Sequence, residues 1–589
     1  MIRNNFLMKL FNFCILAAAF VTTSCVDTVI LPDNKTVDDD YWQKKSEVEA
    51  VVATAYAQLR DASAIRNMIV WGDFRSDELV MSSTLPVSAA YKTALSQIYS
   101  MNIETENTFT TWAPFYSAIN YCNLVLEKAE AVIAADPDYM QGDYDANKAQ
   151  VLALRAFCYF YLTRIFHDIP VTPGAYLNSS ADLNAPQVAP DTVLTMCIND
   201  LQEASKYAVS GSTYNDWRDK GYLNQDGINV LLADIYLWRA SINRDASDYQ
   251  ACVDYCDKII KAKKEAYELS GAMRRGNQEK LDYYLSAYDD MYDDLFGQNG
   301  QNAEESIFEL QFNSSSVSNA GLDQMYYRYN NASGNGYGYF KASSQFGSVS
   351  GAGRSAWIND VDQRLYEYVY DAGNSNVEQY GIRKFVGLTS AGLNKTVESD
   401  PKGSRTNSMN RNWVFYRLTD VMLMKAEALV QLYNLGGKAE GDTRNEEAFN
   451  ICQFVNQRAL SDANKTNASY TLKYSTYSSR MEELVLAERA RELCFEGKRW
   501  FDLMRYNYRH MATPANLKKK LSDSDYAVVA NSDEFFELAL RKYAVPTAMK
   551  AKMRDERFLY MPINQDEIEL NPNLKQNPVY KSKASSKRQ

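Results

Sequence analysis

The stretch from Leu484 to Asn507, LVLAERARELCFEGKRWFDLMRYN, constrains the fold more than any other part of the chain. Leu484, Ala487, Ala490 and Leu493 fall three residues apart, so they share a helical face that meets a core. Gly497 predicts the end of that helix, because glycine just past the last turn takes the left-handed conformation that lets the chain reverse. Arg499, Trp500, Phe501 and Leu503 then begin a second helix packed on the first. Charges of both signs crowd the same stretch, and Glu488 and Arg491 stand at helical contact spacing. Two chemistries compete for them. A carboxyl group tuned by an arginine would serve as a general acid or base. Arginines forked onto carboxylates would instead fix the register of the two helices, and this structural reading is preferred.

The first residues speak of export. Arg3 and Lys9 give a basic start and Leu10 to Val21 is mostly apolar, so residues 1–24 read as a signal too short to span a bilayer. Small residues (Thr22, Thr23, Ser24) precede Cys25, the pattern of a bacterial lipoprotein processing site with Cys25 as the lipidated residue. Residues 25–40 then form a tether, and no later stretch approaches ~20 consecutive apolar residues, so attachment to a membrane runs through Cys25. The formal net charge of −11 argues against a general nucleic-acid binder, which needs clustered cations.

Beyond Cys25, seven cysteines are scattered through apolar helical patterns, an odd number that makes no disulfide framework. Cys252 and Cys256 lie one helical turn apart, yet with His167 and His510 as the only histidines, core packing is preferred over zinc. Amphipathic helices are expected at 41–60, 111–135, 147–166, 192–208, 227–240, 248–261, 418–433 and 445–460. Ala156 with Tyr159, Ala233 with Tyr236 and Ala426 with Leu429 repeat a small residue one turn before a large one, the packing logic of tetratricopeptide-like hairpins. Residues 271–411 interrupt the series. Within them, the stretch from Glu305 to Phe312 alternates like a short strand, and Asp323 to Phe346 reads DQMYYRYNNASGNGYGYFKASSQF. Long irregular loops of this kind are uncommon unless they bind something.

The motif ERxxELxxEGxRWFDLxR within the opening stretch resembles the signature of the SusD/RagB family of outer-membrane nutrient-binding lipoproteins. TAYAQLRD near Tyr56, FRSDEL at Phe74 to Leu79, YCNLVLE at Tyr121 to Glu127, LRAFCYFYLTRIF near Arg155 and PINQDEIELNPNLKQNPVY ending at Tyr580 match the same pattern in order. His167 stands where the family more often has glycine. The resemblance implies a mainly α fold: tetratricopeptide-like hairpins over about 41–270 and 412–510 form a superhelical platform within one domain, 41–589, with minor β structure and a loop-rich ligand-binding face from the 271–411 insertion. The C-terminal family motif lies at 557–580. The implied partner is a SusC-like TonB-dependent transporter in the outer membrane.

Sugars offer apolar C–H faces and rings of hydroxyls, so flat aromatic surfaces with a few amide or carboxylate groups bind them. Tyr326, Tyr327, Tyr329, Tyr337, Tyr339 and Phe340 are the expected stacking surfaces, with Asp323, Asn330 and Asn331 as polar partners. A second zone, Met81 to Tyr99, adds Tyr91, while Trp357 reads as scaffold. The leading expectation is a cell-surface protein that captures oligosaccharides and hands them to the transporter, with no catalytic residue, cofactor or metal. Peptide capture on the same scaffold and glycoside hydrolysis by two carboxylates ~5 to 9 Å apart are the alternatives, but no spacing singles out such a pair.

Overall fold

The computed structural model describes residues 41–580 apart from 83–88, 177–183, 270–284, 286–294, 297–300, 313–316, 327, 331–334, 350–354, 371–379 and 386–410. Cys25 and the tether therefore lie outside the described residues. Helices carry the fold. Helix α1 (Lys45–Leu59) buries Val48, Val51, Val52, Ala55 and Leu59, the face its spacing marks out. Asp61 caps α2 (Ala62–Ile69) by accepting the Ser63 N–H, and α3 (Ala89–Tyr99) follows. Then come α4 (Ala113–Ala135), α5 (Gln141–Phe166), α6 (Pro190–Ala204), α7 (Gln225–Asn243) and α8 (Ala246–Leu269). After the insertion the helices resume as α9 (Leu418–Leu435), α10 (Arg444–Arg458), α11 (Met481–Leu493) and α12 (Arg499–His510). Neighbours in sequence pack on one another, α4 on α5, α5 on α6, α7 on α8 and α9 on α10, and α8 packs on α9 across the insertion. Ala156, Ala233 and Ala426 are all fully buried, as close helix approach requires. So are the seven cysteines from Cys122 to Cys494, which pack as free thiols in the core.

The strand Ser306–Leu310 pairs antiparallel with Trp413–Arg417, and every residue of both is buried. Both faces are covered, because the polar residues find partners inside: Glu305 takes two bonds from Arg458, and Glu309 accepts from Asn412 and from the Asn302 N–H.

Helix α11 is buried almost all round, charges included, and its partners come from far along the chain. Glu488 holds Arg364 and Arg491 at 2.7 and 2.6 Å. Glu492 receives Arg417 and Arg458 on one oxygen and Arg364 on the other, at 2.7, 2.7 and 3.0 Å. Glu496 binds Arg417 and Lys384, and Arg489 reaches Asp420 and Asp502. The cluster thus does more than fix two helices in register: it clamps the insertion (Arg364, Lys384) and the central strand (Arg417) onto the signature helix. Burial alone would raise the Glu492 carboxyl, and Arg458, Arg417 and Arg364 more than offset that, holding it well below the usual carboxylate range. A catalytic acid needs the reverse environment.

The turn after α11 is shared between two residues. Phe495 takes φ +66° and Gly497 φ +73°. Glycine is also required at position 72, because a Cβ there would stand 2.1 Å from the Gly497 carbonyl oxygen. Gly72 sits in a single π-helical turn, Val70–Phe74, so two backbones touch here with no side chain between them.

Candidate functional site

The tyrosine-rich loop is fastened to that same turn. Tyr326 is fully buried at the end of the one-turn helix Ala320–Met325, and its hydroxyl lies 2.7 Å from Asp73 Oδ2 and 2.8 Å from the Phe495 carbonyl. Asp73 also accepts the Gly497 N–H at 2.9 Å. Burial pushes the Asp73 carboxyl up to about 7, against the bonds from Tyr326 and Gly497. The expectation that Tyr326 stacks on a ligand is therefore corrected: the ring anchors the loop. Phe340 is corrected in the same way, being fully buried and stacked on Phe74 with ring centres 4.2 Å apart. Apolar burial won over display at both positions. Tyr327 and Asn331 lie outside the described residues, while Tyr329, Asn330 and Tyr337 stand in the paired strands Arg328–Asn330 and Asn335–Tyr337.

A surface patch forms where the two expected zones meet. The strand Leu79–Met81 pairs with Phe340–Ala342, and the Ser82 N–H donates to the Tyr339 carbonyl. This brings Tyr91 of α3 beside Tyr339, both half-buried, with ring centres 5.9 Å apart and planes tilted by 34°. Burial, with Tyr91 adding to it, raises the Tyr339 phenol above its ordinary range, so that group is a neutral hydroxyl at physiological pH. Arg66 of α2 stands 5.7 Å from the Tyr91 ring centre and donates to Gln324 Oε1 at 2.8 Å. Asp323, half-buried, is the neighbour of Gln324 on the one-turn helix.

The floor under this patch is tightly held. Tyr99 stacks on Phe74, and Lys542 donates to the carbonyls of Phe74 and Leu79 at 2.6 and 3.0 Å. Burial lowers that amine to about 7. Trp357 is scaffold, its indole N–H donating to the Phe346 carbonyl. Two phenol faces beside a guanidinium and an amide suit a polyhydroxylated ring.

Arg66 and Gln324 are site candidates that sequence reasoning passed over, since only the strand pairing brings them beside Tyr91. Two cavities also went unmarked. One of about 410 Å³ lies where Trp112, Tyr116 and Tyr176 face Glu567, and one of about 750 Å³ lies beside Trp217.

Comparison with known proteins agrees with this architecture. Residues 304–580 match a family model described as the SusD family, and residues 31–237 match one described as "Starch-binding associating with outer membrane". SusD-like protein P38 of Formosa agariphila is 24% identical over 519 residues, covering 84% of this chain and 91% of that protein. SusD-like protein P2 of the same organism is 20% identical, covering 85% and 91%. Among solved structures, a SusD homolog from Bacteroides thetaiotaomicron superposes with a TM-score of 0.64 at 19% identity, covering 92% of this chain and 98% of that one. NanU of B. fragilis superposes with a TM-score of 0.61 at 19% identity, covering 93% and 99%.

Proposed function

The chain belongs to the SusD family, and on that premise we propose that it is a surface-exposed lipoprotein, anchored through Cys25, that captures oligosaccharides and delivers them to a SusC-like TonB-dependent transporter. One observation carries the ligand class: Tyr91 and Tyr339, from segments far apart in sequence, are held side by side and only partly buried next to the Arg66–Gln324 pair. Stacking one sugar ring on each phenol contributes ~1 to 2 kcal/mol by area, about 2 to 4 kcal/mol for the two, so affinity of about a millimolar or weaker follows from the rings alone. Weak capture suits a protein that must pass its cargo on. Peptide capture is the second reading, favoured by the charge of Arg66.

Calorimetry with the mature protein and a glycan panel tests the proposal. Tyr91→Ala and Tyr339→Ala are each expected to weaken the best-bound glycan by about 5- to 10-fold. Unchanged affinity in both variants removes this patch from the site. Binding of peptides in place of glycans, lost on adding salt, favours the second reading.

A further inference from the structure

All eight tryptophans are described, and seven of them are at most 4% exposed. Trp217 is the exception at 47%. Its side chain is not loosely placed. The indole lies beside Tyr222, ring centres 5.5 Å apart and planes tilted by 52°, and a Cβ on Gly221 would come 2.7 Å from Gln311 Cγ and 3.0 Å from the indole ring, so glycine lets the indole lie against the backbone. The loop that carries it is tied from below, since the buried Asp219 carboxylate accepts the N–H groups of Tyr214 and Asn215 at 2.9 and 2.7 Å.

Trp217 forms one edge of a cleft of about 750 Å³ between this loop, the start of α7, the end of α8 and residues 302–305. Ser210, Ser212, Asn215, Asp226, Lys220 and Glu304 line it. Lys263 closes the floor by donating to the carbonyls of Glu304 and Ser306 at 3.0 and 2.9 Å. Hydroxyl, amide and charged groups of both signs thus face one flat indole. The mixture disfavours a strongly charged ligand, and a single ring is too little apolar surface for a greasy one. None of these residues belongs to the Tyr91–Tyr339 patch.

We propose that this cleft is a second carbohydrate site, in which a neutral sugar ring stacks on Trp217 and its hydroxyls meet the amide, hydroxyl and carboxylate groups around it. The proposal rests on the glycan-binding reading above and adds a site which that reading does not need. Two separate sites on one molecule would retain a polymer better than either alone, because the second contact becomes intramolecular.

The exposed indole is its own reporter. Acrylamide quenching of the intact mature protein is dominated by Trp217, the other seven being shielded. Neutral hexasaccharides of the gluco-, galacto-, xylo- and manno-series are the probes. At least one is expected to lower the quenching constant by about 2-fold or more at saturation. Trp217→Ala should abolish the matching calorimetric site, and Gly221→Ala, whose methyl presses on both Gln311 and the indole, should weaken it. Protection of Trp217 should persist in Tyr339→Ala. A hexasaccharide that binds by calorimetry yet leaves Trp217 fully quenchable overturns this site and leaves the primary one standing. If no hexasaccharide binds, or if only peptides protect Trp217, the second site and the glycan reading fall together.

Discussion

At the scale of single residues, Glu492 decides the most. Three arginines converge on its carboxylate in a site without solvent, and each has been stripped of water to get there. Such an assembly adds little stability over an apolar one of the same shape, but removing one member strands the others. Glu492→Gln is expected to cost about 3 to 5 kcal/mol in urea-unfolding free energy. The Arg480–Glu483 pair is the contrast: both side chains are more than half exposed, and Glu483→Gln should change stability by less than about 1 kcal/mol.

At the scale of elements, the contact between the π-helical turn Val70–Phe74 and the turn at Gly497 is the least forgiving. A methyl group on Gly72 has only backbone to push against, so Gly72→Ala is expected to lower the thermal midpoint by several degrees, through a loss of about 2 to 4 kcal/mol. Gly142 in the first turn of α5 has nothing within 4 Å of its would-be Cβ, and Gly142→Ala should be neutral or slightly stabilising by calorimetry. These elements also show what a sequence can reveal. The helices were legible because a period of 3.6 is local. Loop tyrosines were less legible, because composition says that Tyr326 and Tyr339 are aromatic but not which one has Asp73 waiting for it. Trp217 gave no local signal either, since exposure depends on what fails to pack against it. His167, where the resemblance favours glycine, takes φ +68°, which is a backbone reason for that preference.

At the scale of the whole molecule, the buried charges predict a stability that peaks on the acid side of neutrality. Burial would raise Asp77 and Asp420, but Arg499 with Arg541, and Lys498 with Arg489, overcome it and hold both at about 2. Carboxyls lowered in the folded state stabilise it above the unfolded pKa of about 4, and that contribution is lost as pH falls through about 2. Asp73 and Glu556 carry the opposite sign. Burial raises each to about 7, so as pH climbs from about 4 to about 7 the unfolded chain releases protons that the folded one keeps, and stability falls. Urea unfolding across pH is expected to show a maximum near pH 4 to 5 and a decline on the order of 1 to 3 kcal/mol by pH 7. A curve that keeps rising to pH 7 contradicts it.

The interior sulfurs have a use that their packing does not advertise. Cys122, Cys158, Cys197, Cys252 with Cys256, Cys452 and Cys494 lie on α4, α5, α6, α8, α10 and the end of α11, so most layers of the stack carry their own sealed tag. A small alkylating reagent reaches a tag only when its layer swings open. Peptide mass spectrometry of slowly labelled native protein would therefore print the sequence in which the stack comes apart, helix by helix, without a single engineered probe.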